Sequence, residues 1–104
     1  MNRVQLIGKL GRDADTKPVT NGKRTMLSVA TNHRWKDQGS GEWKQRTEWH
    51  TVLAWGKLAE ETATLEKGAS VFIEGELRGR EYEHEDTKHR VSEIVADKIL
   101  PLAA

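Results

Sequence analysis

Gln45-Arg46-Thr47-Glu48-Trp49-His50-Thr51-Val52-Leu53-Ala54-Trp55 runs directly into Gly56-Lys57-Leu58-Ala59-Glu60-Glu61-Thr62-Ala63-Thr64-Leu65. The first part alternates. Thr47, Trp49, Thr51, Leu53 and Trp55 share one face of an extended chain, and His50, Val52 and Ala54 share the other. After Gly56 the period changes. Leu58, Ala59, Thr62, Ala63 and Leu65 recur at helical spacing, and Lys67-Gly68 reads as a helix stop with a cation in the last turn. A half-buried strand therefore feeds a short helix.

The same reading extends outward in both directions. Arg3 to Leu10 alternates, with Val4, Leu6 and Leu10 on one parity, and predicts a first strand. Asn21-Gly22 predicts a type I′ hairpin, since both central positions of that turn need positive φ. Arg24 to Asn32 is the returning strand, and Lys36 to Lys44, with Gly39-Ser40-Gly41 inside it, reads as a mobile loop. Beyond the helix, Ser70 to Leu77 predicts a strand and Glu81 to His89 an acidic, polar loop. Arg90 to Leu100 predicts a last strand, ended by Pro101. The order is strand, strand, strand, helix, strand, strand. It predicts an all-β chain: a five-stranded OB-fold Greek-key barrel with one short α-helix between strands 3 and 4, a single domain over residues 1–104.

Composition removes several classes of function. The longest apolar run, Val52-Leu53-Ala54-Trp55, is far shorter than the roughly 18 residues of a membrane helix. No charged segment followed by an apolar one opens the chain, so a secretory signal is not expected and a cytoplasmic protein is the simplest expectation. Zero Cys excludes disulfides, thiol catalysis and thiolate metal sites. His84 and His89 are five apart, where two ligands on one helix face need a spacing of four. Glu48 and His50 share a strand face without an evident third ligand. Gly56-Lys57 lacks the other residues of a phosphate-binding Walker loop. No enzyme activity, metal or cofactor is expected.

The charges and aromatics are unevenly placed. Net charge is +1, yet residues 1–46 hold ten Lys/Arg against four acids, and residues 47–104 hold seven against twelve. A basic face can steer a polyanion even when the total is near zero. Of six aromatics only Phe72 lies among apolar neighbours. Trp35 lies between Arg34 and Lys36, Trp43 between Glu42 and Lys44, Trp49 between Glu48 and His50, and Tyr82 between Glu81 and Glu83; Trp55 precedes the Gly56-Lys57 corner. A barrel this small cannot hold four indoles in its core. Exposed rings interleaved with Arg and Lys suit a binder of unpaired nucleic acid, because every base offers a face for stacking while cations follow the phosphates. Trp49 and Trp55, six residues apart on one strand face, are separated by about 20 Å.

Thr47-Glu48-Trp49-His50, Trp55-Gly56-Lys57-Leu58-Ala59-Glu60 and Lys67-Gly68-Ala69-Ser70-Val71-Phe72-Ile73-Glu74-Gly75-Glu76-Leu77-Arg78 closely resemble the bacterial single-stranded DNA-binding protein family (SSB). The opening Asn2 to Asp13 and the Asn21-Gly22 turn are similar to it as well, so the resemblance covers roughly residues 2–100. It implies an OB-fold, usually a homotetramer, that binds and protects single-stranded DNA without strict sequence preference during replication, recombination and repair. It implies stacking by Trp35, Trp49, Trp55 and Tyr82, and backbone contacts by Arg3, Lys36, Lys57, Arg78 and Arg80. It also implies subunit contacts at His50 and along the first strand at Val4 and Leu6. Family members normally continue into a Gly/Pro/Gln-rich tail with an acidic tip that recruits replication and repair enzymes. This sequence ends Leu100-Pro101-Leu102-Ala103-Ala104, so tail-mediated recruitment is not expected of it; the ending fits either a short form from a phage or mobile element or a domain trimmed from a longer chain. Two rival readings are a docking module with little DNA affinity and an OB-fold binder of RNA or oligosaccharide.

Overall fold

The computed structural model describes residues 1–103. Its elements are β1 (Val4–Leu10), β2 (Asp15–Val19), β3 (Gly22–Lys36), β4 (Trp43–Trp55), α1 (Gly56–Thr62), β5 (Ser70–His84) and β6 (Thr87–Pro101). The strands lie in the order β1-β5-β6-β4-β3-β2, and β1 also pairs with β3. That last pairing closes β1, β5, β6, β4 and β3 into a five-stranded barrel, the arrangement expected, with the helix between its third and fourth strands. Closure needs β1 to come very near β3. At Gly8 an added Cβ would meet Val29 Cγ1 at 2.7 Å and crowd the Ala30 carbonyl, so the side-chain-free position permits the approach.

Alternation fills the interior. Leu27 and Val29 of β3, Val52 of β4, Val71 and Ile73 of β5 and Ile94 of β6 are all buried. The buried Thr25 hydroxyl donates to the Ala59 carbonyl at 2.6 Å, which ties α1 to β3. This contact satisfies a buried polar group and holds the Trp55-Gly56 corner, where Gly56 has φ 63°. The helix is shorter than its periodicity suggests. It ends at Thr62, whose hydroxyl turns back to the Leu58 carbonyl at 2.8 Å. Leu65 lies beyond the helix and still packs on the core.

Four further expectations need correction. Asp15–Val19 forms an extra strand, β2, hairpinned to β3. Its loop is Thr20-Asn21, with Asn21 at φ 66° and Gly22 already pairing with Val19, so the Asn-Gly pair is not the centre of a type I′ turn. The third correction is the largest. Residues 81–89 are not a loop: β5 runs to His84 and β6 starts at Thr87, joined at Glu85 (φ 52°) and Asp86 (φ 63°). Two successive left-handed residues are the signature of a type I′ turn, here made without Gly or Asn. Likewise β3 and β4 pair without a break from Arg24↔Trp55 to Lys36↔Trp43, which shortens the expected 36–44 loop to residues 37–42.

Both long hairpins therefore extend past the barrel as two-stranded arms. The radius of gyration is 15.9 Å, against about 13 Å for an ordinary compact chain of about 100 residues. The excess is these arms, whose residues are almost all exposed.

Candidate nucleic-acid interface

Register decides which side chains meet. The β3–β4 pairing holds one phase throughout, so Trp43, Trp49 and Trp55 of β4 share a face with Arg24, Ala30, Arg34 and Lys36 of β3. The opposite face carries the buried Leu27, Val29 and Val52 and points into the barrel. Trp49 and Trp55 consequently look outward, at 61% and 47% exposure. They are not core residues.

Around Trp55 the outer surface forms a cleft of about 440 Å³ lined by Arg24, Leu53, Arg78, Gly79, Arg80, Glu93 and Val95. Arg24 lies directly across the ladder from Trp55. Its Nε is buried and lacks a hydrogen-bond partner, and among the described residues it takes part in no ion pair. Arg78 is bonded to Glu76, and Arg80 Nε donates to Glu93 Oε1 at 3.1 Å. The Glu93 hydrogen bond raises the Arg80 pKa. Three guanidinium groups thus ring one exposed indole.

The β5–β6 arm extends this face. Arg78, Arg80 and Tyr82 fall on one side of it, and Glu81 and Glu83 on the other. Alternation therefore separates the ring and its cations from the acids that flank Tyr82 in sequence. Tyr82 stacks on its cross-strand partner His89 at 5.2 Å, and Arg80 Cζ lies 5.9 Å from the phenol ring centre.

Trp49 is seated differently. With Gly11, Arg12, Ser28 and Thr51 it lines a shallow groove of about 340 Å³. The indole lies over Gly11, where an added Cβ would come within 2.6 Å of the ring Cη2. Gly11 is the floor that lets the ring lie flat and present its outer face.

Not every expected residue joins this surface. Trp35, 38% exposed, lies on the opposite face of the β3–β4 arm, stacked on His33 at 5.6 Å and beside Arg46. A bound strand must pass round the arm's edge to use it together with Trp49. Arg3 is held by Asp97 at 2.7 Å and Glu74 at 3.0 Å. Asp97 is the extra residue of the β5–β6 bulge, and its pKa is lowered chiefly by the Arg3 hydrogen bond. That cation locks a bulge first. Lys36 and Lys57 are exposed and take part in no ion pair among the described residues. Val4 and Leu6 are half-buried and pack inward on the core, and His50 Nε2 bonds the Thr31 hydroxyl at 2.8 Å. On β1 the residues facing outward are Gln5, Ile7 and Lys9. Arg12 and Arg24 were not legible as neighbours of the rings, because only strand register places them there.

Among the described residues no group of three or more His, Asp or Glu could hold a metal, and no helix is long and apolar enough to cross a membrane.

A closed small barrel with outward indoles, a phenol and arginines on one continuous face defines an OB-fold binder of extended, stackable polyanions. The chain belongs to the single-strand binding protein family, whose sequence model matches residues 1–102. Among solved structures it is similar to a Plasmodium falciparum SSB in complex with ssDNA, at 26% identity and a TM-score of 0.88, covering 99% of this chain and 96% of that one. It is also similar to a deletion mutant of the single-stranded DNA binding protein from Thermus aquaticus. There the identity is 31%, the TM-score 0.85 and the coverage 99% of this chain, which spans 51% of the Thermus chain.

Proposed function

We propose that this protein binds single-stranded DNA without regard to sequence and shields it during replication, recombination and repair, as a non-catalytic protein of the cytoplasm. Bases stack on Trp49, Trp55 and Tyr82, with Trp35 taking a base round the arm's edge. Arg24, Lys36 and Lys57 neutralise phosphates, and Arg78, Arg80 and Arg3 contribute where DNA displaces the carboxylates that hold them. The observation that carries this reading is the Trp55 cleft: an exposed ring edged by three guanidinium groups, one with a buried and unpartnered Nε.

Self-association as a homotetramer belongs to the same reading. Ile7, Phe72 and Leu100 are in register across β1, β5 and β6 on the outer face, with Ile7 66% and Leu100 47% exposed. Assembly covers this row, with Val4 and Leu6 supporting it from behind. The test is competition. Labelled oligo-dT should be displaced by unlabelled single strands of any base composition, and far less well by duplex DNA, RNA or an oligosaccharide. Preferential displacement by RNA or sugar would reject DNA as the ligand.

A further inference from the structure

Trp43 is the aromatic that the reading above leaves idle, and we propose that it is a further base-stacking position, which extends the path of the bound strand along the β3–β4 arm. This rests on the single-strand binding reading. Trp43 begins β4, pairs with Lys36, and is 64% exposed. The unbroken register puts it on the same outer face as Trp49 and Trp55. The three indoles stand at equal six-residue steps, so the row is about 40 Å long at about 3.3 Å per residue. The right-handed twist of a two-stranded ribbon winds that row into a ramp rather than a flat wall.

The surroundings of Trp43 match a nucleotide. Arg34 lies on the same face with its Cζ 5.6 Å from the ring centre, and Lys36 is directly across the ladder. Of the two carboxylates in the 37–42 loop, Glu42 precedes Trp43 and pairs with no cation among the described residues, while Asp37 is already occupied. It accepts from the Ser40 backbone N–H and hydroxyl at 3.0 and 2.9 Å and sits 3.8 Å from Lys44 Nζ. Those bonds, the Ser40 hydroxyl foremost, also lower its pKa. One exposed ring face flanked by two cations on a common side offers a base a stack and the adjoining phosphates a counter-charge.

The competing role is support of the arm, with Trp43 bracing the hairpin through Arg34 and Lys36. Length dependence separates the two. Trp43→Ala, Trp43→Phe, Trp49→Ala and the wild type would be titrated with oligo-dT ranging over about 4–16 nucleotides, with thermal melts alongside. Trp43→Ala should bind the shortest oligomers as the wild type does, and lose about 5- to 150-fold on the longest. Its occupied site size should shrink, its melting midpoint should hold, and Trp43→Phe should recover most of the loss. Wild-type binding by Trp43→Ala at every length would overturn the proposal, as would equal weakening at all lengths that Phe does not rescue. A lowered melting midpoint with no length dependence would assign Trp43 to the hairpin instead. If the wild type itself bound none of the oligomers, the single-strand reading would fail; if the wild type binds, Trp49→Ala weakens binding and Trp43→Ala does not, only this extension fails.

Discussion

Replacing Gly11 by Ala should damage DNA binding without touching a DNA contact. Gly11 does not need its glycine conformation, since its φ lies outside the left-handed region. The added methyl instead meets the Trp49 ring, with Cη2 at 2.6 Å from the Cβ position. The ring must lift or tilt. Trp49 is 61% exposed, so little of its surface is committed to the fold. Full burial of a large apolar side chain contributes about 1.5–3 kcal/mol, so even complete loss of this ring's packing costs about 1 kcal/mol or less. Binding is more sensitive, because a stacked base contributes about 1–3 kcal/mol. Trp49→Ala should therefore weaken oligo-dT binding by about 5- to 150-fold. Gly11→Ala should weaken it by part of that and shift the thermal midpoint little. The decisive assay is a double-mutant cycle by calorimetric titration. If Gly11 acts through the ring, it has no effect once the ring is gone, and the double variant binds as Trp49→Ala does, within about 0.5 kcal/mol. Fully additive losses would show that Gly11 serves DNA by another route. A Trp49→Ala loss below a few tenths of a kcal/mol would remove Trp49 from the stacking surface.

Salt, acid and the barrel bulge provide further tests. With about five phosphates contacted, log K should fall against log salt with a slope near −3.5, at about −0.7 per phosphate. Arg24→Ala should make that slope shallower by about 0.7; an unchanged slope would place Arg24 off the phosphate path. Asp97 is held below its ordinary value of 3.8 by Arg3, so its contribution is present above that value and fades as pH falls through its lowered pKa. Asp97→Asn should lower the melting midpoint at neutral pH and converge on the wild type in strong acid, and a gap that persists there would refute the pairing. Gly75→Ala places a Cβ 2.8 Å from Ala96 Cα and closer still to the Val95 carbonyl. It should destabilise the fold by about 1–3 kcal/mol in denaturant titrations, and a neutral result would contradict the tight closure at this bulge.

Much of the barrel was legible in the sequence because β4 and its neighbours obey simple rules. Val52 and Ala54 alternate with Leu53 and Trp55, and the period changes at Gly56. The β2 strand escaped because Asp15-Thr16-Lys17-Pro18-Val19 lacks an apolar alternation, and a proline fits an edge strand. The far half of the β5–β6 arm escaped because both of its faces are exposed, so no burial pattern marks it, and its turn uses Glu85-Asp86 rather than glycine. Ring identity was legible in composition and the common face of Trp49 and Trp55 in alternation; placement across strands was not. That Trp35 lies across the arm from Trp49, and that Arg24 stands beside Trp55, follows from a cross-strand register set by the length of the 37–42 loop and the start of β3. No local signal encodes either.

The most direct measurement is intrinsic tryptophan fluorescence during titration with oligo-dT at low salt. Indoles open to solvent and covered by thymine should show deep, saturable quenching that reverses on adding salt. Emission that stays constant while a labelled strand is demonstrably bound would mean that the rings do not carry the bases.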